Sequence, residues 1–227
     1  MNPWLMSAVM VVAWSVFALQ MMIKIGALKK MAPESRMDQI PRRIGLLFKI
    51  GIGQEKLIGR SRERMPGIMH ALIFWGAMLI GIREVTLMGE GFVHGFQEYL
   101  PLLGSNYLSG FLFIYLYNIA ELVVLLMILV ALYRRFVPRP DRLDLNWEGV
   151  YVLIFIAGIM LTDLLFDAAR FNLIDEWQYS LHQFEHPIYG QERSWAPVAS
   201  ALADLLVGLG ETSNSFFYHF GFWGHIA

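Results

Sequence analysis

The sequence predicts an all-α integral membrane bundle of about five transmembrane helices, with its N-terminus outside. Three observations lead there. Apolar runs of about 20 residues, nearly free of charge, recur along the chain, and that is the length a helix needs to cross a hydrocarbon core of about 30 Å. Lys and Arg crowd into alternate connectors. Hydrophobic residues make up 56% of the 227, more than a soluble domain of this size requires. Residues 1–227 form a single membrane domain on this reading.

The first run, about 4–24, follows only Met1-Asn2-Pro3. It lacks the basic leader of a signal peptide, and its basic flank (Lys24, Lys29, Lys30) comes after it, so it is a retained helix entered from outside. Further spans fall at about 67–89, 107–133, 148–170 and 213–227. The connectors 25–66 and 134–147, with Lys24, hold 15 of the 18 Lys and Arg residues and therefore face the cytoplasm. The connectors 90–106 and 171–212 face outward. The chain is expected in the cell's inner (cytoplasmic) membrane, crossing it several times.

Three segments stand out within this frame. Residues 40–58 mix cations with apolar side chains, which suits a segment lying on anionic lipid or docking a partner. Ala196 to Leu209 is apolar but short, with Pro197 near its start, and fits an interfacial or re-entrant helix. The fifth span follows a capping-type stretch Glu211-Thr212-Ser213-Asn214-Ser215. It rises only about 22 Å before the last residue, so the chain is expected to be the N-terminal piece of a longer protein or a truncated gene product.

The chemistry of the side chains narrows the function. With no cysteine, the chain can hold neither a thiolate metal site nor a Cys-ligated iron–sulfur cluster of its own. No phosphate loop, nucleophile elbow or dinucleotide fingerprint is present, and nothing points to nucleic acid. Histidines inside spans are functional candidates because burying them in lipid is expensive. His70 falls about four residues into span two and His225 about twelve into span five, at depths that differ by roughly 6 Å. That places both within reach of one haem iron from facing helices. A second, outer haem between His94 and His219 is allowed by their levels. His182 and His186, spaced i, i+4 in the outer connector, have no evident third ligand and are expected to be structural.

Acids inside the spans form a second group. Glu121, near Asn118 in span three, and Asp163 in span four suit proton exchange at a quinone site, or else an interhelical hydrogen bond. Asp167 and Arg170, at i, i+3, suit a plain ion pair. Arg83, deep in span two beside Glu84, suits a haem propionate or a quinone carbonyl.

Several short motifs carry a resemblance. These are Gly53-Gln54-Glu55-Lys56, Arg64-Met65-Pro66-Gly67-Ile68-Met69-His70-Ala71-Leu72-Ile73-Phe74-Trp75-Gly76, Arg134-Arg135 with Pro138-Arg139-Pro140, and Phe222-Trp223-Gly224-His225. In these and in the layout of its spans the chain resembles the membrane domain of the iron–sulfur CCG-domain oxidoreductases. That domain is a cytochrome b-like bundle similar to the nitrate reductase gamma subunit and to the heterodisulfide reductase membrane subunit. Some members act as electron-transfer-flavoprotein:menaquinone oxidoreductases. The resemblance implies one or two haem b groups, a menaquinone site, and ligand positions at His70 and His225. It also implies a cytoplasmic iron–sulfur partner, either a separate CCG-domain protein or a C-terminal domain, and electron-transfer flavoprotein as donor. In that group span five runs on to a Pro-x-Ser-Lys-His-x-His-like end that this chain lacks.

The leading expectation is therefore an electron-transfer membrane anchor, part of a membrane-bound quinone oxidoreductase and inactive as this piece alone. Electrons would pass between the cytoplasmic partner and the menaquinone pool, with protons exchanged near Glu121 or Asp163. The alternatives are a non-redox anchor or assembly subunit, and a small transporter, for which no inverted repeat speaks.

Overall fold

The computed structural model describes residues 2–31, 38–59, 64–93, 96–104, 107–138, 146–180 and 189–226. Every regular element among them is helical. Among the described residues four helices are long and apolar enough to cross a membrane, which makes the chain a multi-pass membrane protein: α1 (Pro3–Lys29), α4 (Arg64–Glu90), α5 (Leu108–Phe136) and the Trp147–Leu173 part of α6 (Trp147–Ser180). The fifth expected span is α9 (Gly210–Ile226), whose 17 residues rise about 25 Å, less than the apolar thickness of a bilayer.

Helix α1 starts where Asn2 Oδ1 accepts the free amides of Trp4 and Leu5 and Pro3 takes the first helical position. It then runs almost bare. Met6 is its buried residue, seated where Gly91 leaves no side chain in the way. The packed bundle consists of α4, α5, α6 and α9. Helix α4 lies on α5, α5 on α6, and α6 on α9 along the longest contact, while α4 and α9 touch lightly. Small residues let the backbones approach, as membrane helices require in place of a hydrophobic drive. A Cβ at Gly221 of α9 would stand 2.6 Å from Phe166 N and 2.8 Å from Thr162 O. One at Gly76 of α4 would run into Val124 Cγ2.

The residues between α1 and α4 form α2 (Ile40–Leu46), a π-helical turn Leu47–Ile52, and α3 (Glu55–Ile58). Ile40, Ile44, Leu47 and Phe48 stay exposed. The segment does not simply lie across the end of the bundle. The Trp75 indole donates to Ile52 O at 2.7 Å, and Trp75 is eleven residues into α4, about 16 Å from Arg64. The connector thus dips alongside α4, and Gly67 admits the Leu57 carbonyl to the helix surface.

At the opposite end, two expectations about boundaries change. Helix α6 does not stop near residue 170 but persists to Ser180, because no Gly or Pro interrupts Phe171–Ser180. The polar stretch before the fifth span is not a cap, since α9 already begins at Gly210 and Asn214 is buried within it. Asn214 Nδ2 donates to Gly210 O at 2.9 Å, and its Oδ1 accepts from Asn172 Nδ2 at 3.0 Å. Between these helices, α7 (Tyr189–Trp195) and α8 (Pro197–Leu206) fold back onto the bundle. Helix α8 presses Ala199 and Ala203, both fully buried, against α6. Its first amides, Val198 N and Ala199 N, donate to Asn118 Oδ1 at 2.8 and 3.3 Å. Asn118 lies ten residues into α5, so the start of α8 reaches about 15 Å below the start of that helix.

Candidate functional site

The contacts among α4, α5 and α6 enclose a set of ionisable side chains in otherwise apolar packing. Helical spacing puts them there. Tyr117 and Glu121 lie i, i+4 on α5, and Asp163 and Asp167 lie i, i+4 on α6, so each pair shares one face. Arg83 of α4 projects between the two faces and is 2% exposed. Its Nη2 donates to Asp167 Oδ1 at 2.8 Å, and its Nη1 donates to Gln97 Oε1 at 3.1 Å. Its Nε stands 3.6 Å from Asp163 Oδ2, and the guanidinium lies 4.9 Å from the centre of the Tyr117 ring. Tyr117 in turn donates its hydroxyl to Asp167 Oδ2 at 2.8 Å.

The cluster continues along α6. Arg170 Nη2 lies 3.2 Å from Asp167 Oδ1 and 2.8 Å from Glu192 Oε2 on α7. Asp167 and Arg170 are thus an ion pair, but not an isolated one, because Asp167 also binds Arg83 and Tyr117. Glu192 is 3% exposed, and burial pushes its carboxyl up to about 7 even though Arg170 draws it down.

Four carboxyl groups (Glu121, Asp163, Asp167 and Glu192) therefore meet two guanidiniums. Glu121 and Asp163, both 0% exposed, face one another. Asn118 Nδ2 donates to Glu121 Oε2 at 3.3 Å, while Glu121 Oε1 and both Asp163 oxygens receive no donor. Two carboxylates cannot donate to each other, so the pair closes into a hydrogen bond only by holding a proton. Buried charge in such excess is tolerated only when protons or counter-charges offset it.

The chain is similar to a probable iron–sulfur-binding oxidoreductase. That relative is FadF of Bacillus subtilis (strain 168), described as a probable iron-sulfur-binding oxidoreductase and 28% identical over 219 residues. The match covers 95% of this chain and 28% of FadF, so the chain spans less than a third of its relative's length. No family model matches the chain, and no solved structure matches it.

The histidines expected to share an iron are not brought together. His225 is buried on α9, with Nδ1 2.9 Å from Ile159 O and Nε2 2.8 Å from Glu84 Oε1. Glu84 lies fourteen residues, or about 21 Å, along α4 from His70, and His70 is exposed. One iron cannot take both rings across that interval. Depth counted along each helix from its own end does not carry over to the packed bundle. The helix ends are staggered, and the register of α9 is set by Gly221 seating on Thr162 and Phe166. His219 is also exposed, and His94 lies outside the described residues, as do His182 and His186. Among the described residues no group of three or more metal-ligating His, Asp or Glu side chains occurs. Among the described residues the donor set does not fit a haem held between His70 and His225, and the pairing of His94 with His219 falls outside them.

Arg83, expected to meet a cofactor, has its guanidinium engaged by protein acids and Gln97. Glu121 and Asp163 share a site, as an interhelical acid pair. Residue-type reasoning missed Tyr117, Gln97, Asp167 and Glu192 as members of that site, and Glu84 as the neighbour of His225. The i, i+4 spacing of 117/121 and of 163/167 was the available signal for two of them.

Proposed function

We propose that this chain is the membrane-embedded part of an iron–sulfur oxidoreductase, exchanging electrons between a partner on the cytoplasmic side and a quinone, of the menaquinone class, in the inner membrane. The observation that carries this is the acid-rich cluster sealed among α4, α5 and α6, in a chain similar over 95% of its length to a probable iron–sulfur-binding oxidoreductase. Quinone reduction and oxidation move protons with electrons, and a buried cluster with more carboxyls than cations is a place to hold those protons. An inert anchor has no use for four buried carboxyls, which cost stability unless paired or protonated.

The partner holds the iron–sulfur chemistry, since this sequence has no cysteine to hold a cluster. A CCG-domain protein or further domain, itself fed by electron-transfer flavoprotein, would dock on the basic connectors around α2 and α3 and between α5 and α6. By their Lys and Arg content these connectors face the cytoplasm, which puts the N-terminus, α7 and α8 on the outer side. Helix α9 completes the bundle as a fifth membrane segment.

The test is purification from membranes together with the iron–sulfur partner, followed by a quinone-linked electron-transfer assay with a menaquinone analogue. Asp163→Asn is expected to lower turnover about tenfold or more, as loss of a proton-carrying group does. Unchanged turnover, or no quinone-linked transfer by the intact complex, refutes the reading. The same preparation reports haem b through a Soret band and its reduced α-bands. Such a band would require ligands other than the pair His70–His225, and His70→Ala and His219→Ala would show which exposed ring contributes.

A further inference from the structure

One carboxyl of the buried cluster lies outside the membrane-spanning helices. Glu192 belongs to α7, which lies against α5, α6 and α8 at the end of the bundle. Trp195 stacks on Phe111 of α5 with ring centres 5.4 Å apart, and the Ser200 hydroxyl donates to Arg193 O. These two contacts hold α7 in place and turn Glu192 inward. Arg193 pairs with Asp204 of α8.

Among the described residues, the charged and titratable groups facing Glu192 include Arg170 and Asp167 of α6, Arg83 of α4 and Glu98 of the short helical turn Phe96–Tyr99. Tyr117 of α5 is bonded to Asp167. Glu192 Oε2 and Asp167 Oδ1 approach the same nitrogen, Arg170 Nη2, at 2.8 and 3.2 Å, so the two oxygens are at most about 6 Å apart. One water molecule spans that distance with two hydrogen bonds. Glu192 Oε2 sits at ion-pair distance from Arg170 without the alignment of a hydrogen bond, which leaves a lone pair for a proton. From Asp167 the chain of contacts continues through Arg83 to Asp163 and Glu121.

We infer that Glu192 is the proton port of the buried cluster, the carboxyl that exchanges protons between water at the α7–α8 end and the Asp167–Asp163–Glu121 acids. The step is a plain transfer. In the inward direction the Glu192 O–H bond breaks as its proton crosses the intervening water to the Asp167 carboxylate, and the Glu192 carboxylate left behind takes a proton from water at the surface; outward transfer reverses both steps. Arg170 and Arg83 stay protonated and hold the acids in register. A carboxyl lying near 7 suits the task, since both of its forms are populated at neutral pH. This deepens the proposed function but does not depend on a quinone or a partner.

The test follows the carboxylic C=O stretch by infrared difference spectroscopy, with the whole chain in lipid nanodiscs. In the wild type a carboxyl band is expected to titrate near pH 7, and the remaining protonated-carboxyl bands to shift on transfer to D2O. In Glu192→Gln, which keeps the shape of the protonated side chain, the titrating band should vanish. Exchange of the remaining bands should slow at least tenfold. Glu211→Gln, at an exposed position, should change neither. Glutamate labelled with 13C should shift the titrating band in the wild type, which tests the assignment without any variant. A titrating band that persists in Glu192→Gln, one that does not move with labelled glutamate, or an unaltered exchange rate would overturn the inference. None of these outcomes depends on quinone activity, so the port can fail while the proposed function stands, and the reverse.

Discussion

Replacing Arg83 by Met tests whether the cluster is an integrated ion-pair network or a set of separate contacts. Met keeps the apolar stem and removes the guanidinium, which is 2% exposed. Asp167 would keep two donors, the Tyr117 hydroxyl at 2.8 Å and Arg170 at 3.2 Å. Asp163 would lose the Nε at 3.6 Å and would be left facing Glu121, with His225 and Arg170 as its remaining basic neighbours. Removing one partner of a buried pair costs about 3–5 kcal/mol because the other charge stays behind. Most of that penalty should fall on Asp163. Asp163→Asn in the Arg83→Met background should therefore recover part of the loss, with a coupling of about 0.5–3 kcal/mol in the double-mutant cycle. Arg83→Lys keeps the charge but cannot fork to Asp167 and Gln97 together, and should cost about 1–3 kcal/mol. The assay is reversible unfolding in mixed micelles, read by tryptophan fluorescence. A loss below about 1 kcal/mol for Arg83→Met, or additive effects in the cycle, would refute the network argument.

Other outcomes follow from single contacts. Gly221→Ala puts a methyl 2.6 Å from Phe166 N and should cost about 1–3 kcal/mol by prising α9 from α6, measured by the same unfolding assay. Asn118→Ala removes the acceptor for Val198 N and Ala199 N and should cost about 1–2 kcal/mol, with faster amide exchange at the start of α8. His70→Ala, at an exposed position, should leave stability within about 0.5 kcal/mol of wild type. Glu192 sets a pH dependence. Its folded value, about 7, lies above the ordinary glutamate value, so the native state binds the extra proton, and the contribution present at acidic pH is lost as pH rises from about 4.5 through 7. That loss is of order 3 kcal/mol, and Glu192→Gln should flatten the stability profile between pH 5 and 8.

Membrane insertion was legible from run length and charge alone, because a helix in hydrocarbon must satisfy its backbone internally and must be about 20 apolar residues long. The acids Glu121 and Asp163 and the cation Arg83 were visible for the same reason: a charge in an apolar run stands out. Asp167, Arg170 and Glu192 were harder to place. The first two fell at the expected end of a span, where charges are ordinary, and the third fell in a connector that the fold tucks against the bundle. The end of α6 was missed because the hydropathy drops near residue 170 while the helical backbone continues.

Residue order was therefore enough to mark this chain as a multi-pass membrane protein, with runs long and apolar enough to cross a bilayer, and to show which side chains are too costly there to be incidental. Those properties depend on each segment's own transfer from water to lipid. Only tertiary packing decided who meets whom. The register of α9 on α6 depends on where Gly221 finds room, and that choice set His225 beside Glu84 instead of His70. Contacts between helices far apart in the chain follow from the stagger and rotation of packed surfaces, which no count along a single helix contains.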